Sequence, residues 1–430
     1  MLKFKQGAFC VLIAAAFSGE AIASPCDGTP VSMPAIVPDT PLTLNMTLMQ
    51  IRHASPNVRR AALETHASMA DADQAGRRLN PSIGLEIENF TGSGALSGFD
   101  QTETTLAVEQ TFQLGGKRDK RERAARARAA LADAQCGAIL RETELEASLL
   151  FYELVAASEL TELALESAEL ANSLVTIVSL RVDAGAAAPP ERSRAITDAA
   201  ALEAQALAAE AQIDRLRYEL AALWGSSAPV FGLPIPNQHG LPNMSPGDGD
   251  VMKHPSLVAA KASADARDAE QIAARAAGVP DLTVSAGVRR FEETGDRAFL
   301  VGVSVPIPLF DRNRDAARAA GSRAIGERIS AVAVETRLRS QQQAAVASVR
   351  ASQARLNLLQ EKALPAARSS YDASVQGYRA GRFNLTTTLD ARKGLIEVGI
   401  SIIDARRTLN ADQMRLKSLI GAAPFNGDFQ

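Results

Sequence analysis

The chain has 430 residues, a formal net charge of −3, one Trp and an aromatic content of only 4 per cent. The near balance of 46 basic and 49 acidic residues gives no basic excess of the kind nucleic-acid binding requires. So few aromatics are poor material for a globular core of this length. Abundant Ala, Leu, Arg, Glu and Gln is instead the composition of long helices whose backbones pack closely.

In chain order, Lys3 and Lys5 precede a short apolar run, Ala8 to Phe17, and Ala21-Ile22-Ala23 offers small residues where a signal peptidase reads. A spanning helix needs about 20 apolar residues, so residues 1–23 are read as an export leader cut after Ala23. Pro25 spoils Cys26 as a lipidation site. Loss of Lys3, Lys5 and Glu20 removes a net +1 and takes −3 to −4. Cys26 and Cys136 then sit in an oxidising compartment, where a disulfide and two free thiols are both open. No later stretch resembles a spanning helix, so a membrane-resident chain must close a β-barrel.

Residues 24–54 read as irregular, as do 227–252, which are rich in Pro and Gly, with 422–430 as a tail. Between them one motif is written twice, over 55–226 and 253–421. Each copy reads helix, strand, strand, long helix, turn, helix. Asn80-Pro81 ends the first helix before SIGLEIENF, and Val279-Pro280 ends its counterpart before LTVSAGVRRF. TLAVEQTFQLGGKRDKRERAA aligns with LVGVSVPIPLFDRNRDAARAA, and VDAGAAAPPERSRA with YRAGRFNLTTTLDAR, which sets Gly185 opposite Gly381.

The strands, expected at about 82–90, 103–112, 281–291 and 298–308, alternate with period 2. Ile83, Leu85 and Ile87 oppose Gly84, Glu86 and Glu88; Leu106 and Val108 oppose Thr105, Ala107 and Glu109. In the second copy Val284 and Val288 oppose Ser285 and Arg289, and Phe299, Val301 and Val303 oppose Leu300, Gly302 and Ser304. Phe90, Phe99, Phe112, Phe291, Phe299 and Phe310 lie in or beside these pairs, as an aromatic girdle requires. A wet lumen would then be lined by Glu86, Glu88, Glu109 and Arg289.

Between Lys117 and Leu180 there is no Pro, and a stripe runs through Leu145, Leu149, Tyr152, Ala156, Leu160, Leu163, Leu170, Leu174 and Ile177, interrupted by Ser167. Asp315 to Leu364 repeats the pattern up to Pro365. Steps of three and four indicate coiled-coil packing. A soluble helical rod would leave the strand pairs unexplained.

These segments, in this order, resemble the TolC-type outer-membrane factors over nearly all of the chain after the leader. QTFQLGGKR and VPIPLFDRNR are most similar to members serving cobalt–zinc–cadmium type heavy-metal exporters. The resemblance implies a mainly α fold with a transmembrane β-barrel contribution: a homotrimer with a 12-stranded barrel in outer-membrane lipid, continued by a long α-helical periplasmic tunnel. It implies a passive exit duct that works with a periplasmic membrane-fusion adaptor and an inner-membrane resistance-nodulation-division pump. The adaptor would dock on the tips at Val182, Gly185, Ala186, Tyr378, Gly381, Arg382 and Phe383. The periplasmic gate would use Asp390, with Thr387 where the family carries a second acidic residue; the alternative for Asp390 is a solvated charge paired with Arg392 or Lys393. A multidrug or other small-molecule exporter, and a periplasmic coiled-coil adaptor or scaffold, are the other readings.

Enzyme chemistry is not expected. His53, His66, His239 and His254 lack metal-ligand spacing, so surface or capping roles are expected for them and neither metal nor cofactor is implied. Gly115-Gly116 is a turn into a helix, without the context of a phosphate-binding loop.

Overall fold

The computed structural model describes Cys26, residues 39–235 and residues 250–420; the expected leader, residues 422–430 and His239 lie outside the described residues. The elements run α1 (Leu44–Ala54), α2 (Pro56–Ala75), β1 (Ser82–Glu88), β2 (Glu103–Phe112), α3 (Lys117–Asp183) and α4 (Pro189–Leu223). After the linker come α5 (Pro255–Ala277), β3 (Leu282–Phe291), β4 (Arg297–Ser304), α6 (Arg314–Leu358), α7 (Leu364–Arg379) and α8 (Leu385–Leu419).

Several boundaries differ from the sequence reading, each for a local reason. Residues 44–54 are a helix and not irregular chain: Thr43 Oγ1 caps it by accepting from Met46 N, and Leu44, Leu48 and Ile51 bury one face. Helix α2 ends at Ala75, ahead of Asn80-Pro81. Helix α5 ends at Ala277, and Gly278 follows because any Cβ there would collide with the Arg312 carbonyl. Strand β1 stops at Glu88, since Asn89 turns the chain with φ 55°. Strand β4 stops at Ser304, short of 308, because Pro306 and Pro308 have no N–H to donate to a ladder. Pro365 does not end its helix. A π-turn over Leu359–Ala363 absorbs it, and the shaft continues through α7 to Arg379.

The four strands form one antiparallel sheet in the order β1-β2-β3-β4. The register puts Leu85 opposite Leu106, Leu106 opposite Val288, and Val288 opposite Phe299. Across its middle rows one face is therefore apolar, bounded by Gln110 toward one end and by Thr104, Arg290 and Arg297 at the other, and it is unburied: Leu85 is 65% exposed, Val301 80% and Phe299 88%. Phe90, Phe99, Phe112, Phe299 and Phe310 are all exposed at or beside the strand ends. Phe291 departs from the girdle. It pairs with Glu103 and shares the parity of Arg289, on the other face.

The helices pack side by side rather than around one centre. In its upper half α3 lies between α2 and α5, with α6 beyond α5; in its lower half α3 lies between α4 and α8, with α6 and α7 beyond. At a rise of 1.5 Å per residue the 67 residues of α3 span about 100 Å. A helix flanked on both sides needs two seams. One runs Ala147, Phe151, Leu154, Thr161, Ala168, Ala171 and Val178, and the other through Tyr152, Ala156, Ser167 and Leu174. The single stripe read from the sequence mixes the second seam with exposed positions such as Leu160. Ser167 is tolerated because its Oγ donates to the Leu163 carbonyl at 2.7 Å.

The halves join at an equator. The end of α4 abuts the start of α2 through Gly225 and Pro56, and the end of α8 meets the start of α5 through Leu257, Leu338 and Leu419. His254 caps α5 there, its Nδ1 accepting from Ser256 N at 3.2 Å. The aliphatic and aromatic core gathers at this level: Leu48, Ile51, Phe151, Leu216, Leu220, Phe231 and Met414, with Trp224 edge-on to Phe231. Residues 39–42 run alongside 230–235, with Leu42 bridged to Pro234. Of the two states the sequence left open for the cysteines, the structure has the disulfide, joining Cys26 to the fully buried Cys136 of α3. Arg52 of α1 and the buried Glu144 of α3 form an ion pair at 2.6 Å.

Candidate functional site: hairpin tips and barrel face

Both hairpin turns close in the same way. Helix α3 ends with Gly185 N donating to the Val182 carbonyl at 3.0 Å and Ala186 N to the Arg181 carbonyl at 2.8 Å. Helix α7 ends with Gly381 N donating to the Tyr378 carbonyl at 3.0 Å and Arg382 N to the Gly377 carbonyl at 2.8 Å. This is the Schellman pattern, and it requires a left-handed residue at the turn. Gly185 has φ 70° and Gly381 φ 74°. The turns differ in dress. Ala184, Gly185 and Ala186 are small and exposed, whereas Phe383 is half-exposed and lies over Gly377, where a Cβ would collide with its ring.

The two tips are joined to each other. Arg181 of α3 donates to the Tyr378 carbonyl and holds its guanidinium 4.5 Å from the centre of the Tyr378 ring. The Tyr378 hydroxyl donates to Glu191 of α4 at 2.9 Å. Arg194 of α4 reaches Thr386 Oγ1 of α8 at 3.3 Å. Leu174, Val178, Ala195, Tyr378, Leu385 and Leu389 form the small apolar core between them. Burial, aided by the Glu191 carboxylate, pushes the Tyr378 phenol up to about 12.

Thr387 and Asp390 lie on the first turns of α8. Asn384 caps that helix, its Oδ1 accepting from both Thr387 N and Thr387 Oγ1 at 2.9 Å, so the Thr387 hydroxyl is occupied in the cap. Asp390 is exposed. Neither pairing suggested by the sequence forms: Arg392 turns inward to Asp198 of α4, and Lys393 faces Glu397 at 3.7 Å.

On the polar face of the sheet, Arg289 of β3 binds Glu88 at 2.8 Å, Glu103 at 2.6 Å and Thr105 Oγ1 at 2.9 Å. Glu86 and Glu109 share this face, are exposed, and form no ion pair among the described residues. The register brings Glu86, Glu88, Glu109 and Arg289 to one side, but Arg289 arrives neutralised. Sequence reasoning missed Glu103, whose parity with Thr105 was available. It also missed Arg181, Glu191, Asp198 and Arg392, whose partners lie in the other repeat and leave no local periodic signal.

A lipid-ready sheet mounted on two long helical hairpins defines a channel-forming protein of the outer membrane. A family model described as outer membrane efflux protein matches residues 47–226 and 252–422. The chain belongs to the outer membrane efflux protein family, resident in the outer membrane with its helices extending into the periplasm. Among relatives, the cobalt-zinc-cadmium resistance protein CzcC of Cupriavidus metallidurans is 29% identical over 84% of this chain and 85% of its own length. The nickel and cobalt resistance protein CnrC of the same organism is 30% identical over 68% and 71%. Among solved structures, VceC of Vibrio cholerae superposes with a TM-score of 0.73 at 21% identity, over 88% of this chain and 96% of that one. The CusC channel gives 0.75 at 16% identity, over 91% and 96%.

Proposed function

We propose that three copies of this chain close a twelve-stranded barrel and helical tunnel, a passive exit duct for divalent heavy-metal cations. The duct takes its cargo from an inner-membrane resistance-nodulation-division pump through a periplasmic adaptor seated on the hairpin tips. The observation that carries this reading is a sheet with an exposed apolar face and two unpaired edge strands, β1 and β4. An open four-stranded sheet cannot stand in lipid, where every backbone group needs a partner. Threefold closure supplies those partners and gives an even strand count. The heavy-metal cargo is supported by relatives named for cobalt, zinc, cadmium and nickel resistance. The two Gly turns and the exposed Phe383 offer the adaptor a backbone-accessible surface with an apolar contact, and Asp390 places one exposed carboxylate per protomer near the closing end. No step in this role requires catalysis by the chain.

The test is resistance in cells that carry the cognate pump and adaptor. Gly185→Trp and Gly381→Trp should leave trimers in the outer membrane while zinc, cobalt and cadmium resistance is lost. Full metal resistance in both variants rules out tip docking. A chain that runs as a folded monomer in detergent with its strands intact rules out the duct.

A further inference from the structure

Below the sheet, α2, α3, α5 and α6 surround an open hollow of about 760 Å³ with a floor of alanines. Arg77, Arg78, Arg121, Arg128 and Arg323 line it, against the acids Asp71 and Glu270. Two of these arginines are fixed by the fold. Arg121 donates from Nε to the Ala75 carbonyl at 2.8 Å and from Nη2 to the Arg77 carbonyl at 3.2 Å, which closes the end of α2 and holds the Arg77-Arg78 segment. Arg128 binds Glu270 at 2.6 Å, and Glu270 also takes Arg267 at 2.9 Å, so this acid is already compensated. Arg77, Arg78 and Arg323 are exposed and form no ion pair among the described residues. The hollow opens on the side of the sheet's polar face. Thr111 Oγ1 meets Thr283 Oγ1 there at 3.0 Å, and Gln113, next in the same parity, accepts from Arg121 Nη1 at 3.2 Å. At about 100° per residue, Arg121 and Arg128 point roughly 140–160° away from Glu144, which receives Arg52 of α1. Helix α1 therefore packs on the opposite side of α3.

We propose that this hollow binds a small soluble polyanion, bearing phosphate or carboxylate groups, that enters along the lumen. The proposal rests on the duct reading, in which the polar face lines the passage and three such hollows ring it beneath the barrel. A guanidinium presents a planar fork that matches a carboxylate or phosphate in bidentate fashion. A hollow of this size suits a small-molecule ligand. Arg121 spends its donors on carbonyls and on Gln113, and Arg128 is held by Glu270, so the ligand's partners are Arg77, Arg78 and Arg323. Arg77 and Arg78 belong to the first repeat and Arg323 to the second, so only the folded chain assembles the site. Empty, the ring sets a positive potential across the passage and opposes cations; filled, that potential is cancelled and cations pass more freely. The bound polyanion is thereby a positive effector of cation exit.

The experiment uses purified full-length trimers and inorganic pyrophosphate as the probe. In phosphatidylcholine bilayers under a potassium chloride gradient free of divalent cations, pyrophosphate should shift the parent's reversal potential toward cation preference and saturate. Arg78→Gln with Arg323→Gln should show greater cation preference before any addition, and should need about tenfold more pyrophosphate or not respond. Both residues are exposed, so this variant should melt with the parent, which separates lost binding from lost fold. Arg126→Gln removes a charge from the opposite side of α3, where Arg126 pairs with Glu122, and should respond as the parent does. A conducting parent that ignores pyrophosphate, a double variant that responds like the parent, or an equal loss in Arg126→Gln overturns the site and leaves the duct reading standing. A parent that forms no channel overturns both. Lipid is the other source of phosphate: if phosphatidylglycerol in the bilayer abolishes the pyrophosphate response, a headgroup holds the site and the soluble ligand is overturned.

Discussion

Tyr378 and Glu191, 187 residues apart in sequence, meet through one hydrogen bond of 2.9 Å that ties the second hairpin to the first. Each belongs to a different copy of the repeat, so the duplicated halves grip one another at their far ends. A hydrogen bond to a charged acceptor is worth about 1.5–3 kcal/mol net. Tyr378→Phe should therefore favour separated tips by about ten- to a hundredfold, read as open probability in bilayers. The pH dependence follows from the raised phenol. With an ordinary value of 10 and a folded value of about 12, the contact's contribution is fully present below pH 10 and is lost as pH climbs toward 12. The parent channel should loosen across that window, and Tyr378→Phe should lack this alkaline transition.

The sheet register predicts a labelling pattern. Cys at Glu86 or Glu109 should react with membrane-impermeant thiol reagents, and Cys at Leu85 or Val303 should be protected in lipid and react after detergent extraction. Arg289→Cys should react as well, and it should additionally release Glu88 and Glu103 from their shared cation. Protection at Glu86 together with reaction at Leu85 would invert the assignment of the faces.

Asp390 is exposed and, among the described residues, pairs with neither Arg392 nor Lys393, which leaves its carboxylate uncompensated. Three such carboxylates around a threefold axis would focus negative potential in a narrow mouth. Asp390→Asn should reduce cation preference and weaken block by divalent cations in reversal-potential measurements. Unchanged selectivity would return Asp390 to the solvent.

The Cys26–Cys136 bond closes a loop 110 residues long around the first strand pair. Loop-closure arguments and native disulfide removals put its contribution at about 2–5 kcal/mol. Cys136→Ser should lower the melting temperature of the detergent-solubilised protein, and a reductant should then have no further effect. Both sulfurs are shielded, Cys136 fully, so the parent should lose its bond only slowly in dithiothreitol unless first denatured.

The repeat, the strand faces and the turn glycines were legible because each rests on a local period or on a residue type with one conformational use. Gly185 and Gly381 are recognisable from sequence since few residues adopt positive φ. Helix α1 was not legible: eleven residues held mainly by Leu48 and Ile51 against Phe151 and Leu154 give too short a pattern. Phe291 was misread because membership of a girdle depends on parity, and its parity with Arg289 was overridden by its chemistry. A lone Pro such as Pro365 signals a helix end; here a π-turn replaces the break, with Leu359 and Leu364 at its two ends packed against a cluster that includes Ile402, Ala405 and Leu409 of α8. The Arg181, Glu191, Asp198 and Arg392 contacts cross between repeats, and nothing along either copy announces them.

The π-turn at Leu359–Ala363 has a mechanical meaning. Helix α3 runs its whole length as one rod, while its counterpart is two rods with a wider, looser turn of backbone between them. Duplication thus produced unlike twins: a mast and a boom. In the proposed trimer, load carried up from the tips would pass undivided through the first, whereas the second would bend first at its π-turn. A threefold ring of masts would keep the cylinder upright as its three booms change the width of the mouth.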